Sequence, residues 1–424
     1  MRTSEKDTQV LAKRSWKLPG AYVAASVLAL VFSVATHGDV TIRLNDKSQS
    51  YTIPDIVTAG APIVWVLAAL ILAITAWTLA STIRRVEDPS WARTAGMVVV
   101  GVSTILGFLL YAGSDSTGAV TLTSTLVSTV AISTPLIFGS LSGVISERVG
   151  VVNIAIEGDL LVGAFAGVMA ASYFQTPYAG LVAAPLAGAL LGSLLALFSV
   201  KYGVDQIIVG VVLNVLALGL TTFLYGTIMK ANQGALNTNR YSLTDIKIPG
   251  LSEIPVIGPV LFDQSILVYL MYVAVIALAF FLFRSRWGLR LRACGEHPRA
   301  ADTVGINVGR TRTVNTILGS AFAGLGGAFF TIGSGLAFTD NISAGNGYIA
   351  LAAMILGKWN PLGAMGAAVM FGFAQALARM LPNIEPAIPA DLVSMIPYVV
   401  TIIAVAGFVG KSRAPAAENV PYVK

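Results

Sequence analysis

Runs of about 20 apolar residues recur along this chain from residue 21 to residue 410, each long enough to span the hydrocarbon of a bilayer. They leave no stretch for a sizeable soluble domain, so the chain reads as membrane-embedded. Composition agrees, with 55% of its 424 residues hydrophobic, 11% charged and a mean hydropathy of +0.77. Apolar spacing places spans near 20–37, 61–83, 95–113, 121–144, 157–174, 178–199, 206–229, 265–283, 313–334, 345–357, 361–381 and 391–410, the tenth too short to cross unaided. The expected fold is an all-α polytopic membrane protein of about 10–12 transmembrane helices, with broken or short helices in both halves.

Counting Lys and Arg by span parity from an inside N-terminus puts 21 of 27 on the inside, so both termini are expected to be cytoplasmic. The net charge of +6 is then a matter of topology, and no nucleic-acid partner is expected. Lys13, Arg14 and Lys17 before the first apolar run also fit a cleavable signal peptide; a retained span is the preferred reading. One cysteine and two histidines argue against disulfides and metal clusters, so no metal site is expected. Residues 1–120 read as an accessory transmembrane region, 121–410 as the core and 411–424 as a cytoplasmic tail. The loops 38–60 and 230–264 suit ordered external connections, the second being rich in Asn, Gly and Pro.

Three interruptions carry the functional signal. Residues 284–312 hold seven arginines and Cys294, the only thiol, which is expected to be a topology probe reachable from the inner face. Within them Pro298 suits a helix start and Gly305 a helix end, so a two-turn helix is expected. It reads either as a docking knob for a soluble partner or as a solvated hairpin obeying the positive-inside rule. In the second interruption, Gly150 and Gly158 bracket VVNIAIE, which reads as a broken helix with Asn153 and Glu157 facing a solute path. An ordinary turn with Arg148 as a topological charge is the alternative. The third, TDNISAGNGYIALAAMILGKWNP, places Gly345 and Gly347 before a short helix that ends at Asn360-Pro361. Two glycine-interrupted short segments in a transporter point to a site between structural repeats. The pairs Gly139/Gly143, Gly163/Gly167 and Gly188/Gly192 read as close helix packing.

No phosphate loop, nucleophile elbow or HExxH motif occurs, so this chain is not expected to be an enzyme or to hydrolyse ATP. An ion-coupled transporter acting alone, with Glu157 or Asp159 carrying a proton, remains the second function class.

The segments SERVGVVNIAIEGDLLVGAF, GEHPRAADTVGINVGRTR and NGYIALAAMILGKWNPLGA closely resemble permease subunits of bacterial ABC importers of the branched-chain amino acid, ribose and nucleoside superfamily, nearest its nucleoside and simple-sugar branch. The resemblance covers about residues 121–410. It implies uptake of a nucleoside or related sugar-containing solute through the bacterial cell membrane, beside a second permease subunit. It also implies an ATPase with two nucleotide-binding domains, which would carry ATP and Mg, and an external substrate-binding lipoprotein; this chain itself would bind no cofactor. The 298–305 helix would be the coupling helix, with Glu296, Arg299, Ala300, Ala301 and Gly305 matching the motif. Asn153 and Glu157 would lie near the translocation path, and Asp159 departs from the apolar residue expected there. Phe138, Asn214 and Asn346 are further candidate wall residues on side-chain type alone.

Overall fold

The computed structural model describes residues 16–44, 53–86, 88–114, 116, 119–238, 240–384, 395 and 413–422. Among these, ten helices are long and apolar enough to cross a membrane. The expected twelfth span, 391–410, lies outside the described residues except for Met395. The chain separates into two compact units, Met1–Thr123 with Arg379–Val393, and Ser124–Ala378 with Ser394–Lys424.

In the first unit, α1 (Lys17–Ala35), α2 (Gly60–Arg84) and α3 (Ser90–Ala112) pack around Tyr22, Ala29, Ala68, Ile71 and Val100. Two buried serines of α1 are paired: Ser26 Oγ lies 2.9 Å from Thr75 Oγ1, and Ser33 Oγ donates to the Ala29 carbonyl. The 38–60 loop contributes β1 (Asp39–Arg43) and β2 (Ile56–Ala59), joined antiparallel. Strand β3 (Val120–Thr121) adds parallel to β1, giving the order β2-β1-β3.

The second unit begins with most of α4 (Leu122–Arg148), then α5 (Ile156–Phe174), α6 (Pro177–Ala196) and α7 (Gln206–Leu224). The 230–264 loop carries two short helices, α8 (Gln233–Leu236) and α9 (Ile257–Phe262), and strands β4 (Asp245–Lys247) and β5 (Asp263–Ser265) paired antiparallel. Helix α10 (Ile266–Arg284) leads into α11 (Arg286–Glu296), α12 (Pro298–Thr303) and α13 (Val308–Gly327). The short α14 (Asn346–Leu356) and then α15 (Pro361–Ile384) follow. At 1.5 Å per residue α14 spans only about 16 Å, half a bilayer core.

Caps set several of these ends. Asp205 accepts from the Ile207 and Ile208 amides at the start of α7, Ser285 from Gly288 at α11, and Asn307 from Arg310 at α13. The ninth span therefore starts at Val308 rather than 313, and Arg312, expected in the loop, sits on the helix at 2% exposure. The expected small-residue packing is present. A side chain at Gly163 would collide with the Gly324 backbone, and one at Gly188 with the Ser320 carbonyl, so α5, α6 and α13 meet backbone to backbone.

Candidate functional site

Helix α4 stops at Arg148, where Gly150 adopts φ +92° and the Gly150 and Val151 amides turn back to the Glu147 and Ser146 carbonyls. Helix resumes only at Ile156. In an apolar interior the freed amides need partners, and side chains supply them. Gln206 Oε1 accepts from Val152 N at 2.6 Å, Asn153 Oδ1 from Ala155 N at 3.0 Å, and Asn214 Oδ1 from Gly158 N at 2.8 Å. Asn214 also donates to the Ile154 carbonyl at 2.9 Å and to Tyr348 Oη at 3.3 Å, tying α7 to the break and to α14.

Glu157 reaches across to the second broken region. Its Oε1 accepts from Ser343 Oγ at 2.6 Å and Gly345 N at 2.8 Å, and its Oε2 from Gly347 N at 2.6 Å. The carboxylate thus occupies the positive end of α14, where the dipole and charge-assisted hydrogen bonds both favour it. At the opposite end of α14, Arg148 donates to the Trp359 carbonyl at 2.9 Å and to the Lys358 carbonyl at 3.4 Å. Trp359 Nε1 donates to Glu147 Oε2 at 2.6 Å. The short helix is therefore held at both ends by residues flanking the first break. Arg148, open to reading as a topological charge, makes specific contacts there.

The sequence-derived candidates occupy different layers of this assembly. Asn153 is fully buried, its Nδ2 donating to Ser142 Oγ at 3.2 Å, and Asn214 is 7% exposed. Asn346 is half-buried, donating to the Ser343 carbonyl at 2.7 Å and accepting from Gln375 Nε2 at 2.9 Å. Phe138 was expected on a path wall by residue type; it is instead fully buried, tilted against Phe322 and facing Gly326, as part of the packed core. Asp159 is fully buried, facing Ser320 and Asn153 with neither carboxylate oxygen hydrogen-bonded. Ser343, Tyr348 and Gln375 escaped sequence reading. For Ser343 the only available signal was its position two residues before a glycine that starts a helix.

The 284–312 loop has the expected short helix, Pro298–Thr303, with Gly305 beyond it at φ +84° and the Ile306 amide returned to the Ala301 carbonyl. Its faces differ from expectation in one respect. Ala301 is 3% exposed and packs into the protein's own core, so its small size serves an internal fit rather than an external groove. Glu296, Arg299, Ala300 and Val304 face outward, Val304 at 75% exposure. Sequence reading also missed α11, which precedes this helix. Between α11 and the start of α13 lies a groove of about 890 Å³, bordered by Trp287, Gly305 and the guanidinium side chains of Arg286, Arg290 and Arg310. Cys294, expected to be reachable, is fully buried, and that burial pushes its thiol above the ordinary value.

Comparison with known proteins places this architecture. The guanosine ABC transporter permease protein NupQ of Bacillus subtilis (strain 168) is 42% identical over 311 residues, covering 70% of this chain and 95% of that protein. The nucleoside ABC transporter permease protein NupC of Lactococcus lactis subsp. cremoris (strain MG1363) is 43% identical over 302 residues, or 69% of this chain and 94% of that protein. A more distant relative, the guanosine ABC transporter permease protein NupP of Bacillus subtilis (strain 168), is 26% identical over 284 residues, with 65% and 79% covered. No solved structure matches the chain. The family model described as branched-chain amino acid transport system, permease component, matches residues 125–405, so this multi-pass chain belongs to that family and is a permease subunit of an ABC transporter, not itself an enzyme.

Proposed function

We propose that this chain forms half of the membrane pathway of an importer that brings nucleosides into a bacterial cell. The observation that carries the reading is the identity of 42% and 43% to a guanosine permease and a nucleoside permease, across nearly the full length of each. The site chemistry supports it. Around the two breaks, Tyr348, Asn346 and Gln375 are at least partly exposed and offer neutral hydrogen-bond groups. A neutral ribosyl base needs such groups and apolar contact more than a counter-charge, since a tight ionic site would slow release.

In this reading Glu157, Asn153, Asn214 and Asn346 position the broken helices beside the path. The face of Glu296, Arg299, Ala300 and Gly305 meets an ATPase carrying two nucleotide-binding domains, where ATP and Mg reside; this chain binds no cofactor. A second permease completes the pathway, a reading supported by two guanosine permeases, NupQ and NupP, occurring in one organism. An external lipoprotein delivers the solute, and both termini and the 284–312 loop lie in the cytoplasm. ATP closure of the ATPase shifts α12, and the two broken segments change which side the pathway faces.

The deciding measurement is uptake of labelled guanosine, uridine and ribose by proteoliposomes holding the full complex. ATP-dependent accumulation of nucleosides, competed by one another, is expected. Accumulation driven by a proton or sodium gradient with this chain alone would instead establish the ion-coupled class.

A further inference from the structure

The segment 413–422 returns to the coupling loop and is bound there by a buried cation. Arg312, 2% exposed, donates from Nη1 to the Val420 carbonyl at 2.8 Å and from Nη2 to the Ala417 carbonyl at 3.2 Å. A guanidinium taken out of water is costly unless hydrogen bonds replace its hydration, and here the tail's carbonyls accept from Nη1 and Nη2 while Nε has no partner. The Nη2 end of the guanidinium also lies against the break. A Cβ at Gly150 would fall 2.7 Å from Arg312 Nη2, so residue 150 must lack a side chain for this contact as well as for its backbone angle.

The same segment is fastened to the coupling loop. Ala417 N donates to the Gly295 carbonyl at 2.8 Å and Ala416 N to Glu296 Oε2 at 3.3 Å, three and two residues before α12 begins. Gly295 is itself packed on the carbonyl of Arg148, the last residue of α4. A displacement of α12 therefore reaches residues 148–150 along two routes, directly through Gly295 and indirectly through the tail and Arg312. The tail also shares the outer surface of α12. The two form opposite walls of a cleft of about 630 Å³, with Pro298, Arg299 and Ala300 on one side and Val420 and Tyr422 on the other.

We propose that residues 413–422 act as a strut transmitting motion from the ATPase-facing loop to the broken helix, with Arg312 as the positioning residue that seats it. This rests on the reading of α12 as the ATPase contact. Two substitutions cut the strut at different joints. Arg312→Met replaces the cation with an apolar side chain of similar length, removing both tail bonds without stranding a charge. Ala417→Pro removes only the donor to Gly295 and leaves both carbonyls available to Arg312.

The experiment measures nucleoside imported per ATP hydrolysed in reconstituted complexes of each variant, with permease level and ATPase co-purification as controls. For both variants import per ATP is expected to fall about tenfold, within the usual range of coupling between sites, with assembly retained. Arg312→Lys, which keeps a donor, should recover part of the ratio. An unchanged ratio in both variants overturns the strut, whether import itself is normal or has fallen in parallel with hydrolysis. Loss of folded permease in both shows a purely structural tail and overturns it too. Failure of the permease reading is distinguishable, because the wild-type complex would then show no ATP-dependent import.

Discussion

Glu157 Oε2 accepts a 2.6 Å hydrogen bond from the amide of Gly347, across 190 positions of chain. With Gly345 N and Ser343 Oγ on the other oxygen, one carboxylate caps the short helix and fastens two interruptions together. Glu157→Gln preserves the shape but turns an amide NH2 toward groups that themselves donate. The expected cost is about 2 kcal/mol, roughly thirtyfold in any equilibrium that needs the cap. Import should fall by at least about tenfold with permease still present in the membrane. Uptake within twofold of wild type would remove Glu157 from the mechanism.

With α12 as the proposed ATPase contact, its two faces separate folding from docking. Ala301→Trp enlarges a side chain already packed inside, so it should destabilise the permease by roughly 1–3 kcal/mol and lower its amount. Ala300→Trp lies on the exposed face, should leave the thermal midpoint unchanged, and should abolish ATPase co-purification. Gly305→Val places a β-branched residue at φ +84°, where strain of about 1–3 kcal/mol redirects the chain leaving the helix. Equal ATPase retention by all three variants would show that docking occurs elsewhere.

Glu418 gives the tail a pH dependence. Burial pushes its carboxyl up to about 7 from an ordinary 4.5, and it meets Glu147, with Glu296 and Arg312 also engaged by the tail backbone. The folded state thus favours protonated Glu418. Its contribution is fully present below pH 4.5 and is lost as pH rises through 7, because the folded chain binds more protons than the unfolded chain in that window. Discounted for partial solvent exposure, the loss is about 1 kcal/mol. Thermal midpoints from pH 5 to 8 should decline in the wild type and lie flatter in Glu418→Gln; parallel curves would dismiss the effect.

Cys294 should resist an impermeant maleimide in the native protein and react only after denaturation, since burial both covers the sulfur and disfavours the reactive thiolate. Ala300→Cys in a Cys294→Ser background supplies an exposed thiol on the same loop. Labelling there only after the inner face is opened is expected from the proposed orientation. Labelling in intact cells would reverse it.

Much of this molecule was legible from local pattern. Apolar run lengths found all ten crossing helices among the described residues, and Pro298 with Gly305 marked the short helix α12, because spans and caps are short-range features. Gly150 likewise announced the break through the backbone angle that it alone permits cheaply. Long-range placement was not legible. No spacing rule says that Glu157 caps a helix near residue 346, that Arg312 is seated by a distant tail, or that Ala301 points inward while Ala300 points out. Each depends on which surfaces meet after the helices assemble. Helix α11 was missed because its arginine-rich sequence hides a buried side formed by Gly288, Leu291, Cys294 and Gly295.

The backbone contacts among Gly163, Gly188 and Gly324 bear on where movement can occur. At these contacts no side chain lies between α5, α6 and α13, so no rotamer there can change to absorb a shift. Sliding one past another would drive main chain into main chain. The three helices are therefore expected to travel as a single block, with the permease yielding elsewhere. The polar seams of α7 and α14 can do so, since the hydrogen bonds made by Asn214 and Glu157 can be exchanged one at a time, like the teeth of a ratchet.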